Sequence, residues 1–173
     1  MSRAAPLIRI PVGVVIERRK AKSQWVDHVW RAIAVLPGVP DTAPWSVLEQ
    51  SPEAAAIYAG AAEVGLYRSE AAMYRDNLAS GEPALWVVLR PTELDPPYDI
   101  VTVTADPSEG EGYTAAGADI VESVPMPATI REAVAAFVAE HHVEEAFFKR
   151  KRDHADPDAL GRQPRAPRKD RDR

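Results

Sequence analysis

Four histidines, eight serines and no cysteine bound the reactive chemistry open to this 173-residue chain. Without cysteine there is no disulfide, thiolate nucleophile, iron–sulfur cluster or Cys-ligated zinc. The histidines are His28, His141, His142 and His154. His141 and His142 adjoin in a segment of helical periodicity, so their rings point about 100° apart and cannot share one ion. None of the serines lies in a G-x-S-x-G elbow, which removes the usual signature of a Ser-His-Asp hydrolase. The glycines of "AGAAEVG" and "SEGEGYTAAG" lack the Lys-Ser or Lys-Thr that completes a phosphate loop, and the second stretch is acidic. Carboxylates adjoin at Glu109/Glu111 and Glu144/Glu145, but nothing in the order of residues brings a chosen pair to one site. The expectation is a protein with no catalytic residue, no metal and no cofactor of its own.

Two cationic runs are better candidates for function. "ERRKAK" (Glu17–Lys22) carries Arg18, Arg19, Lys20 and Lys22, and "KRKR" comprises Lys149, Arg150, Lys151 and Arg152. Trp25 and Trp30 follow the first run, and Phe147 and Phe148 precede the second. Arginine beside large aromatics is the composition of interface anchors, so these residues are candidate partner contacts. The alternative is solvated charge guarding strand ends, with the aromatics in the core. The net charge of −5 hides an asymmetry. From Ala146 onward ten Lys and Arg face five Asp and Glu, so the tail is +5 and the remainder −10. The tail's own aspartates offset half its positive charge, which argues against a nucleic-acid grip.

Several strands and one helix must position these residues. Leu7–Arg19 is a strand rich in Ile and Val, and Pro11 suggests that it lies at an edge or carries a bulge. Trp25–Gly38 is a second strand forming a hairpin with it, or else a helix. As a strand it gathers Val26, Trp30, Ala32, Ala34 and Leu36 on one face, apolar except for His28. Val39–Ala54, with three prolines, reads as loop or turns. Ala55–Glu70 alternates with period two, placing Tyr58, Ala62, Val64 and Leu66 together. Ala71–Pro83 is ambiguous. Ala84–Pro91 and Tyr98–Pro107 are the clearest strands, joined closely enough to pair antiparallel. Ser108–Pro127 reads as an acidic loop with one helical turn and a short "IVESV" strand. Ala128–Val143 is an amphipathic helix with Ile130, Val134, Phe137, Val138 and His141 along one stripe. Thr129 and Glu132 have the spacing of a capping box.

Strands without βαβ alternation, then one helix, indicate an α+β fold. The expected form is a mainly antiparallel curved sheet or small barrel, of which a pleckstrin-homology-like barrel is one version, with the helix across an opening. Residues 1–152 are expected to make one β-rich domain, and 153–173 a basic tail too poor in apolar residues to order. The opening residues lack the pattern of a signal peptide and no apolar run is long enough to span a bilayer, so a cytoplasmic protein is expected.

The stretches "IPVGVVIERRKAKSQWVDHVWRAIAVLPGVPDTAPW", "LYRSEAAMYRDNLASGEPALWVVLRP", "VTADPSEGEGY", "VESVPMPATIREAVAAFVAEHH" and "FFKRKR" carry a resemblance. Over Leu7–Arg152 the chain resembles a proteobacterial family of unknown function. Its members are encoded beside molybdenum- or tungsten-dependent formate dehydrogenase subunits, and many are labelled molybdopterin-guanine dinucleotide biosynthesis protein A. The label implies a Rossmann-like guanylyltransferase with a Gly-rich N-terminal signature and metal-binding aspartates, and this sequence has neither. The sulfurtransferases of that pathway work through cysteines, and its dedicated chaperones resemble helical bundles. The resemblance therefore implies a non-catalytic accessory or assembly protein. Its partners would be formate dehydrogenase subunits, with the cations touching an acidic surface or the pyrophosphate of the molybdopterin cofactor. Nucleic acid and membrane are not expected partners. The competing expectations are a freestanding peptide- or ligand-binding barrel, its pocket ringed by Trp25, Trp30, Tyr74 and Trp86, and a molybdopterin-related enzyme.

Overall fold

A β-branched run pairs wherever its backbone groups find partners, and the long first strand finds them on both sides. The computed structural model describes residues 5–142. β1 (Ile8–Lys20) lies between β2 (His28–Pro37) and β4 (Ala54–Leu66), and β3 (Ser46–Gln50) completes an antiparallel sheet of order β2-β1-β4-β3. β5 (Ala84–Pro91) is the centre of a second antiparallel sheet, flanked by β6 (Tyr98–Thr104) and β7 (Ile120–Pro125). β2 runs beside β7 and β4 beside β6, yet the two sheets share no ladder. Of the two forms expected, curved sheet or small barrel, a closed barrel is therefore not formed, and the fold is mixed α and β with two antiparallel sheets.

Pro11 does not mark an edge. Its carbonyl accepts the Gly38 N–H, and β1–β2 pairing begins at Val12–Pro37, so the proline nitrogen faces the side where β2 has already ended. A central strand accepts proline at such a last rung because no donor is needed there.

Two neighbouring bulges then overrule simple alternation. Ala59 is skipped where Val14 pairs Gly60 and Val15 pairs Tyr58, and Ile33 is skipped where Val15 pairs Ala34 and Ile16 pairs Ala32. Each extra residue moves everything beyond it to the other face. Tyr58 therefore parts from Val64 and Leu66, and packs on the outer face over Gly13, under Pro40. Ala34 and Leu36 likewise part from Trp30 and Ala32. Gly60, at the bulge, has φ +143°, a conformation that favours glycine.

The inner faces meet in one core: Val12, Val14, Ile16, Ile57, Val64 and Leu66 from the first sheet, Leu85, Val87, Leu89 and Val103 from the second. Helices α1 (Ala71–Ala79) and α3 (Ala128–His141) pack together and join this core, with the Tyr74 and Phe137 rings edge to face at 6.0 Å. The ambiguous segment 71–83 thus begins as helix. It is anchored by buried Asn77, whose amide donates to the carbonyls of Ala84 (2.8 Å) and Ala105 (2.9 Å) and accepts the Ala84 N–H (3.0 Å). The stripe expected on α3 is present, with Ile130, Val134 and Phe137 buried. Its capping box is not, because Pro127 occupies the N-cap and no side chain caps the helix. The short α2 (Pro107–Gly112) is capped by Asp106, whose carboxylate accepts the N–H groups of Ser108 (2.8 Å) and Glu109 (3.4 Å). β3 arises within the stretch read as loop, entered through Trp45 at φ 66°.

Candidate functional site

Strand alternation divides the first cationic run. Glu17 and Arg19 share the outer face, where Arg19 donates to both Glu17 carboxylate oxygens (3.2 and 3.0 Å) and Arg31 on β2 donates to one of them (3.0 Å). These hydrogen bonds, from Arg19 foremost, hold the Glu17 carboxyl below its ordinary pKa. Arg19 is thus spent on its own strand.

Arg18 and Lys20 point the other way, continuing the core face past Ile16 to the end of the sheet. Their partners across the ladder are Trp30 and His28. The Arg18 guanidinium carbon sits 5.9 Å from the centroid of the Trp30 ring, a cation–π distance. Trp30 in turn meets Trp45 edge on at 6.1 Å and Tyr98 at 5.6 Å, with His28 at 6.5 Å. Neither Arg18 nor Lys20 has an ion-pair partner among the described residues. A shallow hollow of about 80 Å³ lies between their side chains, His28 and the turn Gln50–Ala55. The turn is held by Ser51, which caps Ala54 through backbone and side chain, and by the Lys20 N–H donated to the Glu53 carbonyl (2.9 Å).

The β1–β2 connection leaves Lys22 exposed and Trp25 86% exposed, with Val26 and Val29 each 54% exposed beside it. So Arg18, Lys20, Lys22, Trp25 and Trp30 belong to one end of the first sheet. Arg19 belongs to its back. Phe147, Phe148 and Lys149–Arg152 lie outside the described residues, as does the tail 153–173.

The four aromatics expected around a pocket are not brought together. Tyr74 is fully buried, its hydroxyl accepting the Tyr67 N–H (3.1 Å) and donating to Glu70 (3.0 Å). Burial drives its pKa well above the usual phenol value. Trp86 lies on the second sheet against α2, so close to Gly110 that no side chain fits there. Wider clefts of about 430 and 510 Å³ flank β5 and β7, lined in part by Glu82 and Ser123 and away from the cationic end. Among the described residues no group of three His, Cys, Asp or Glu is placed to hold a metal ion, and no helix is long and apolar enough to cross a membrane.

Trp45, Tyr98 and the turn Gln50–Ala55 also belong to this end, and nothing in the run Arg18–Lys20 signals them. The signal for Trp45 and Tyr98 is only that each begins or precedes a strand; their approach to Trp30 depends on how the two sheets meet.

Fold and site together define a small two-sheet α+β protein that presents a cationic and aromatic end to its surroundings. The chain belongs to the family described as "Protein of unknown function (DUF3305)", whose model matches residues 11–152. No curated protein and no solved structure matches it.

Proposed function

We propose that this chain is a non-catalytic accessory or assembly protein that acts by docking, and that its partner is the molybdenum- or tungsten-dependent formate dehydrogenase that the family resemblance implies. The observation that supports docking is the end of the first sheet: two cations with no ion-pair partner among the described residues, Arg18 and Lys20, at the same end as an exposed Trp25, on a chain of net charge −5. Exposed tryptophan flanked by cations is the composition of an interface hot spot for an acidic surface. The non-catalytic reading rests on the absence of cysteine and of nucleophile and phosphate-loop motifs in the sequence. The finer reading of the fold, a pleckstrin-homology-like arrangement, belongs to the same proposal; a strand-rich body of two antiparallel sheets that ends in α3 supports it, while the order β2-β1-β4-β3 and the helices α1 and α2 between strands depart from a simple meander.

Co-purification with the tagged dehydrogenase tests the reading. The full chain is expected to be retained, and Arg18→Glu with Lys20→Glu to lose most of that retention. A chain that is never retained, in cells whose formate oxidation survives deletion of its gene, defeats the proposal.

A further inference from the structure

The hollow at the end of the first sheet has the features of a socket for one oxyanion. Its walls carry three basic side chains, Arg18, Lys20 and His28, against a single acid, Glu53. Ala54 and Ala55 complete its lining, and Ala55, the partner of Arg18 across the ladder, offers only a methyl group on the Arg18 face. Arg18 is held at the rim by the Trp30 ring, and Trp30 is itself wedged between Trp45 and Tyr98. A guanidinium fixed in this way loses little further freedom when it binds an anion, which is how preorganisation raises affinity. An imidazole always carries an N–H to donate, and Lys20 adds up to three.

Size decides between ligands. About 80 Å³ accommodates two or three waters, and therefore one carboxylate or one phosphoryl head group.

The geometry points to a built oxyanion-binding site formed by Arg18, Lys20 and His28, which receives a single carboxylate or phosphoryl group. This deepens the docking reading and rests on it only for where the anion comes from. An acidic side chain of a partner protein and the phosphoryl group of a free small molecule offer the same chemistry to these three residues.

Two probes separate the sources: inorganic phosphate, and a blocked peptide alternating Glu with Gly. Each is titrated into the full chain while backbone amide NMR shifts are monitored at low ionic strength. Saturable shifts are expected at Arg18–Lys20, His28 and Gln50–Ala55. Arg18→Gln or Lys20→Gln weakens binding at least tenfold. Arg19→Gln removes the same charge from the opposite face and changes it less than twofold. Glu53→Gln tightens it. Stronger binding of the peptide assigns the socket to a partner's carboxylate, and stronger binding of phosphate to a phosphoryl group; both support the site. The inference is overturned if neither probe gives saturable shifts, or if Arg19→Gln weakens binding as much as Arg18→Gln does. Retention by the dehydrogenase without anion binding leaves docking standing and removes the socket. Anion binding without retention does the reverse.

Discussion

Replacing Asn77 with alanine tests how α1 is tied to the second sheet. Asn77 is 4% exposed, and its amide satisfies three backbone groups: the Ala84 N–H and the carbonyls of Ala84 and Ala105. Alanine removes all three bonds. Ala84 is half-buried, so water can replace part of what its backbone loses, whereas Ala105 is fully buried. One wholly stranded carbonyl costs about 1–3 kcal/mol, and two partly hydrated groups add roughly 1 kcal/mol more. The expected loss is therefore about 2–4 kcal/mol, which for a domain of this size lowers Tm by about 5–15 °C. Urea denaturation with matched thermal melts measures it. Asn77→Asp sharpens the test, because the shape is kept while both donated bonds become carboxylate facing carbonyl. Burial beside two carbonyl oxygens raises the new carboxyl's folded pKa above its unfolded value. The aspartate variant must therefore regain stability as pH falls toward the unfolded carboxylate value, and the alanine variant must not. An alanine variant within about 0.5 kcal/mol of the parent, a change small even for a surface substitution, refutes the reasoning. So does an aspartate variant with no such pH dependence.

Gly13→Ala puts a methyl group 2.9 Å from Tyr58 Cε2 and 3.1 Å from Pro40 Cδ, so overpacking is expected to cost about 1–3 kcal/mol in denaturation. An unchanged midpoint would mean that the loop over Tyr58 yields freely. Arg90 donates two hydrogen bonds to Asp119 (2.9 and 2.8 Å), and these hold the Asp119 carboxyl below its ordinary value. That stabilisation is full above the unfolded carboxylate pKa of about 4 and is lost as pH falls through the lowered folded one. The difference in Tm between the parent and Arg90→Gln must accordingly be present at neutral pH and shrink in acid; a constant offset would show that the ion pair is not its source.

Much of the secondary structure was legible because local pattern and tertiary role agree. Ala84–Pro91 pairs on both edges, and its β-branched run suits that position. The apolar stripe of α3 buries the residues that its spacing selects. Legibility failed where one residue was added to a strand. The bulge at Ile33 leaves no mark in composition, and the one at Ala59 only the adjacent Gly60, yet each reverses the facing of the strand beyond it. β3 was unreadable for a different reason: it is a five-residue edge strand whose pairing with β4 overrides its proline-rich surroundings. The candidate site was half legible. Period two alone separates Arg18 and Lys20 from Arg19, but the ion pairs around Glu17 that occupy the outer face need Arg31 to arrive from the neighbouring strand.

From residue types alone came the absence of cysteine chemistry, the strand-rich order with one long amphipathic helix, and the concentration of charge beside tryptophan. Those are properties of single segments, decided by what each side chain is and where it recurs. The meeting of Trp30 with Trp45 and Tyr98, the burial of Tyr74 away from the other aromatics and the hollow beneath Arg18 were decided in three dimensions. They depend on register and on the packing of one sheet against another, and contacts between distant segments are set by the whole core rather than by any one stretch of chain.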